Sequence, residues 1–325
     1  MVIDWFRRVE SKRGLFAAER ISLLYNAVTT VLLLCLFPDL DHPVQMLADR
    51  VGIAVVTFAL MFWYHYYPCR LTAGIRIMFQ ISLLAYWYPN TFEFNRLFPN
   101  LDCYFATAEQ YLFGCQPAVE FSKAWPSMWV SEPLNLGYIS YFPLIFLVVM
   151  ACFLFRFHQF EQMSFIIIAS FFLYYLIYLF VPVAGPQFYY PAVGLDNILT
   201  GNFIPLGDYF HHNSVLIPGP GYDHGFFYNL VEVSHEVGER PTAAFPSSHV
   251  GITTILLFLA WRINHKLCWC MIPFYVLMCF ATVYIQAHYL IDVIGGWISS
   301  VIIYRVTIRL YHWRFASLSF KDLLK

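Results

Sequence analysis

The chain has 325 residues, of which 60% are hydrophobic, 20% aromatic and only 12% charged, with a formal net charge of −1 and a mean hydropathy of +0.60. A water-soluble globular domain needs more polar surface than this, so the composition predicts an all-α, polytopic transmembrane helix bundle. A near-neutral balance of charge offers no electrostatic footprint for nucleic acid, and no nucleic-acid partner is expected.

Residues 1–20 carry Arg7, Arg8, Lys12, Arg13 and Arg20 among Trp5, Phe6, Leu15 and Phe16, a pattern that reads as a cytoplasmic interfacial helix rather than a cleavable leader. About eight spans follow, at roughly 21–38, 51–68, 75–89, 137–155, 163–184, 247–265, 268–287 and 290–309. Residues 21–89 are thus N-terminal spans, 90–136 a long extracytoplasmic loop, 137–310 a transmembrane domain interrupted by a second extracytoplasmic loop at 185–246, and 311–325 a cytoplasmic tail. This topology sends 15 of the 19 basic residues to one side and leaves only Arg50, Arg96, Lys123 and Arg240 on the other. Such a bias places both termini in the cytoplasm.

Six of the eight cysteines lie in or beside apolar runs and read as small buried hydrophobes. Cys103 and Cys115 fall instead in the first long loop, where an oxidising compartment would permit a disulfide. The second loop holds the helix breakers Gly185, Pro186, Pro218, Gly219, Pro220 and Gly221 together with His211, His212, His224, His235, Glu236 and Arg240. The histidine spacing follows no ligand pattern, so these read as polar loop residues, and no metal site is expected.

Two segments carry candidate chemistry. Arg240-Pro241-Thr242-Ala243-Ala244-Phe245-Pro246-Ser247-Ser248-His249 runs directly into an apolar helix. Pro246 and Ser247 suit a helix start, whose unpaired amides and dipole favour an anion. Ser247 and Ser248 are therefore candidate phosphate ligands, with Arg240 as a bidentate cation. In the second segment His288 and Asp292 stand four apart and share one helix face, so the carboxylate can hold the imidazole in one tautomer and sharpen its other nitrogen as a nucleophile. The plain alternatives are a simple helix cap in the first segment and a helix-locking ion pair in the second. The 39 residues between His249 and His288 suffice for one helix to cross and the next to return, which brings both imidazoles to the same extracytoplasmic face.

Phe245-Pro246-Ser247-Ser248-His249 followed by His288-x-x-x-Asp292 resembles the type 2 phosphatidic acid phosphatase superfamily over about residues 135–310, a six-helix catalytic core. The resemblance implies that His288 attacks phosphorus to form a phosphohistidine. It further implies that Asp292 orients His288, that His249 protonates the leaving group and then activates the acceptor, and that no metal or other cofactor takes part. The chain departs from the phosphatase pattern where Val233 replaces a lysine, Ser248 a glycine, and Ala281 and Thr282 a Ser-Arg pair. The run His288-Tyr289-x-x-Asp292 is similar to inositol phosphorylceramide synthases and sphingomyelin synthases, which move a phosphorylated head group between lipids.

The expected activity is hydrolysis of a lipid phosphate or pyrophosphate in the membrane. Transfer to a lipid alcohol is the alternative, with Glu132 and Thr282 as accessory candidates near the acceptor. A transporter or scaffold is a third reading, in which His288 and Asp292 serve as a proton relay or helix lock.

Overall fold

A computed structural model describes residues 5, 6, 8, 9 and 14–314 of the chain. Among them the regular structure is helical, apart from an isolated bridge between Arg8 and Cys69. The α-helices are α1 Ala17–Cys35, α2 Pro43–Tyr66, α3 Arg70–Asn95, α4 Asp102–Phe113, α5 Pro117–Ala124, α6 Met128–Ile139 and α7 Tyr141–Phe155. They continue with α8 Phe160–Phe180, α9 Pro186–Val193, α10 Leu195–Leu199, α11 Phe226–Gly238, α12 Ser248–Ile263, α13 His265–Tyr284 and α14 Leu290–Arg314.

Five helices are long and apolar enough to cross a membrane: α1, α2, α8 with its leading turn, α13 and α14. A sixth span results if α6 and α7, bent by 45° at Ser140, are taken together. The protein is therefore an integral membrane protein; among the described residues five or six helices meet that length and hydropathy, and the eight spans read from the sequence are not all shown. The shortfall has two sources. Helix α12 has 16 residues, about 24 Å at 1.5 Å per residue against a hydrocarbon core of about 30 Å. Helix α3 is long, but its sequence is interrupted by Arg76, Gln80, Asn90 and Glu93.

The chain divides into two compact units, the first made of Met1–Trp87, Ala151–Phe172 and Tyr304–Lys325. Here α1 and α3 are tied by a fully buried ion pair in which Arg76 Nε donates to Glu19 Oε1 at 2.7 Å, while the guanidinium covers the Phe16 ring at 3.8 Å. Tyr25 stacks on Phe172 at 4.3 Å and meets the edge of Trp87 at 5.2 Å. Arg50 is buried in this unit too, donating to the Met46 carbonyl and lying 5.4 Å from the Trp87 ring. The sequence reading counted Arg50, Arg76 and Arg96 as loop charges, yet all three are buried, since each finds an acceptor or an aromatic face inside the fold. Residues 1–4, 7 and 10–13 of the expected interfacial helix and 315–325 of the tail lie outside the described residues; within them, α1 begins at Ala17 and α14 ends at Arg314.

The second unit comprises Tyr88–Met150 and Leu173–Ile303 and contains every candidate site residue. Both long segments read as loops carry local helices, α4 and α5 in the first and α9 to α11 in the second. Cys103 and Ala106 of α4, Tyr189 and Tyr190 of α9, Val250 of α12 and Val293 of α14 share one apolar core. Val231 of α11 packs with Leu134 and Tyr138 of α6 and with Ala281 and Tyr284 of α13 in a second core. Buried Asp102 joins these layers by accepting the amides of Ala184 at 2.6 Å and Gly185 at 2.8 Å and the hydroxyl of Tyr289 at 2.9 Å. Helices α12 and α14 cross closely, because a Cβ on Gly296 would stand 2.7 Å from the Ser247 carbonyl. Cys103 and Cys115 are both free thiols, so the bridge the sequence allowed is not formed.

Candidate active site

The start of α12 and the turn between α13 and α14 meet through the backbone. Ser247 caps α12, its hydroxyl accepting the Val250 amide at 3.4 Å, and its own N–H donates to the Asp292 carbonyl at 3.0 Å. The turn at residues 285–289 is pinned by the His288 amide, which donates to the Thr282 carbonyl at 2.9 Å, and it includes Gln286 at a φ of +64°. These constraints set His249 Nδ1 3.4 Å from His288 Nε2, with ring centroids 5.6 Å apart. His288 is 4% exposed; His249 is half-buried and packs against the rings of Tyr138 at 4.7 Å and Tyr141 at 4.4 Å.

His288 Nδ1 lies 2.8 Å from the Ala244 carbonyl. A carbonyl only accepts, so Nδ1 carries the hydrogen and the Nε2 lone pair faces His249. Asp292 Oδ2 stands farther from Nδ1, at 3.5 Å, and receives the Tyr289 amide at 2.8 Å. The sequence placed Asp292 on this nitrogen; the structure brings its carboxylate to 3.5 Å and sets the Ala244 carbonyl closer. The carboxylate sits in the first turn of α14, where it is drawn to a free backbone donor, and the main-chain oxygen of Ala244 takes the ring instead. Burial holds His288 neutral, with its pKa lowered to about 4 against the opposing pull of Glu239.

Glu239 lies just after α11 and accepts hydrogen bonds from Tyr88 at 3.2 Å and Gln187 at 3.3 Å; burial raises its pKa although His288 opposes that shift. A second carboxyl, Glu109 of α4, accepts the Ile291 amide at 3.2 Å beside Asp292, and burial raises its pKa to about 8. His235 of α11 also meets the Tyr138 ring, edge-on at 5.5 Å. His235 is 4% exposed, its Nε2 is buried without a hydrogen-bond partner among the described residues, and desolvation lowers its pKa to about 4.

Other sequence candidates occupy different places. Arg240 is half-buried and donates to the Glu239 carbonyl at 3.0 Å, not to the start of α12. Ser248 is buried in the first turn of α12 beside His249. Glu132 was expected near an acceptor hydroxyl, but its two oxygens accept the Phe227 amide at 3.0 Å and the Tyr228 amide at 2.9 Å, which makes it the anionic cap of α11. The Thr282 hydroxyl returns to the Cys279 carbonyl of its own helix at 3.1 Å, so its contribution to the centre is the main-chain oxygen that holds His288. Val233, at the lysine position of the phosphatase pattern, is 57% exposed. Among the described residues no group of three or more His, Cys, Asp or Glu side chains is placed to hold a metal ion.

A sequence profile of the PAP2 superfamily matches residues 105–306, more than half of the chain. The chain belongs to the PAP2 superfamily. Comparison with curated proteins and with solved structures finds no match. The PAP2 match begins at 105 rather than about 135, so it takes in most of α4 and all of α5, which the sequence reading left outside the catalytic core. Membership supports a lipid-phosphate hydrolase or phosphotransferase activity at that general level. His235, Glu239, Glu109 and the Ala244 carbonyl went unrecognised in sequence as groups gathered around Tyr138, His288 and Asp292. For His235 a signal existed: Tyr228, Val231 and His235 recur at helical spacing, and all three are buried.

Proposed function

We propose that the protein cleaves a phosphate ester or pyrophosphate of a membrane lipid by phosphoryl transfer to His288 Nε2 and then to water. The observation that carries this reading is the donation of His288 Nδ1–H to Ala244, which leaves Nε2 unprotonated beside His249. In the first step Nε2 forms a bond to phosphorus while the bond to the leaving oxygen breaks, and His249 delivers the proton that oxygen needs. In the second step His249 takes a proton from water, whose oxygen displaces the phosphoryl group from His288. Asp292 stabilises the positive charge that develops on the ring. Ser247, Ser248 and the first amides of α12 form the anion-binding end of the site. The basic-residue bias supports an extracytoplasmic site and cytoplasmic termini.

A second reading is favoured by Val233 and Thr282, which supply no cation to a released phosphate, and by the burial of His288 from water. In it a lipid hydroxyl replaces water in the second step, and the enzyme transfers a phosphorylated head group between lipids.

The deciding experiment offers purified protein in mixed micelles a panel of radiolabelled lipid phosphates, with and without added lipid alcohols. Hydrolysis predicts release of labelled phosphate and an acid-labile, base-stable labelled protein, both lost in His288→Ala. Label that appears only on the added alcohol selects transfer. Turnover retained by His288→Ala would sink both.

A further inference from the structure

We infer that His235 is a third imidazole of the centre and binds a non-bridging oxygen of the phosphate group. The inference rests on the proposed phosphoryl chemistry and adds a ligand to it. The non-bridging oxygens of a phosphate call for more hydrogen-bond donors than Ser247, Ser248 and the α12 amides supply. The nearest arginine in sequence, Arg240, spends a donor on the Glu239 carbonyl.

His235 has the geometry to meet that need. It stands on the buried face of α11, about two turns beyond the amides that Glu132 caps, and the Val231 contact to α6 and α13 fixes the height of that face. Its ring meets Tyr138 edge-on while His249 stacks on the same tyrosine, so the three rings form a continuous wall leading to His288. Leaving a buried nitrogen without a partner is costly, and among the described residues His235 Nε2 has none. The Tyr138 ring beside it is held by the stacked His249, so the unmet nitrogen marks a place for a ligand atom. An anionic oxygen is the ligand that the neighbouring chemistry brings. No bond forms or breaks at His235; it holds the phosphoryl oxygens while His288 and His249 exchange the leaving and entering groups.

The test uses orthovanadate as the phosphate mimic, with binding to full-length protein in micelles measured by calorimetry and compared with the kinetics. His235→Ala is expected to weaken vanadate binding and raise KM by about 10-fold or more, while His288 still becomes labelled. His235→Gln, which places an N–H near the lost Nε2, should recover most of the affinity. Vanadate binding in His235→Ala within about twofold of wild type would overturn the inference. A loss of kcat and of thermal stability with unchanged vanadate affinity would overturn it too, since that is the mark of a packing role. Because vanadate binding is read without turnover, an enzyme that binds vanadate through His235 but labels no His288 would refute the proposed mechanism and leave this inference standing. A wild-type protein that fails to bind vanadate refutes it.

Discussion

Asp292→Asn removes a charge but keeps an oxygen able to receive the Tyr289 amide, and the Ala244 carbonyl still fixes the His288 tautomer. Where a carboxylate is the sole tautomer holder, the same change costs about 10⁴-fold in kcat. Here the loss is expected to be smaller, about 10- to 100-fold, because only the charge stabilising the imidazolium is gone. A loss as large as that of His288→Ala would show that Ala244 does not hold the ring. Glu109 gives a pH test of its own. Its carboxyl is raised to about 8 in the folded protein from an ordinary 4.5, so the folded state binds more protons than the unfolded one between those values. Its contribution is complete below pH 4.5 and is lost as pH rises through 8. Glu109→Gln keeps an acceptor for Ile291 and has no proton to lose, so it should raise Tm at pH 8.5 and leave it nearly unchanged at pH 4.5. His288 has the opposite sign: lowered to about 4 from 6.5, it makes the fold less stable as pH falls through that window.

At the scale of elements, the distance between the two histidines depends on how closely α12 approaches α14. Gly296→Ala would press a methyl to 2.7 Å from the Ser247 carbonyl and 3.1 Å from Val250, and neither backbone nor helix core can yield cheaply. The expected result is a folded protein, less stable by about 1–3 kcal/mol, whose kcat falls by more than KM rises, since Ser247 and His249 move together away from Asp292 and His288. Unchanged kcat with lowered Tm would separate the crossing from the chemistry. The same elements show what the sequence discloses. His249, His288 and Asp292 were legible because a helix start and an i,i+4 pair have fixed geometry. The Ala244 carbonyl was not, since every residue has one and only the fold selects it. The α11 helix was obscured by the glycines and prolines before it, so His235 was read as one loop histidine among several.

At the scale of the whole molecule, composition was enough to read an all-α membrane protein, whereas polar side chains that find partners inside the helices are not legible in hydropathy. Glu19 and Arg76 are the clearest case. Arg76→Met leaves Glu19 buried without its cation and is expected to cost about 3–5 kcal/mol, whereas the double change Glu19→Leu with Arg76→Met should recover most of that loss. Thermal unfolding in detergent of the single and double variants measures the difference. A single variant as stable as wild type would mean that the pair contributes nothing to the first unit.

The bond from His288 to Ala244 also bears on heredity. Its acceptor is a main-chain oxygen, so no codon change at position 244 deletes it, and a scan of side-chain substitutions would pass over the group that orients the nucleophile. What a substitution can change at that position is size, because the Ala244 side chain is buried. The proton on Nδ1 is thus inherited with the path of the chain itself. Replacing the 244–245 amide by an ester through chemical synthesis, which weakens that carbonyl as an acceptor, reaches a determinant that genetics cannot.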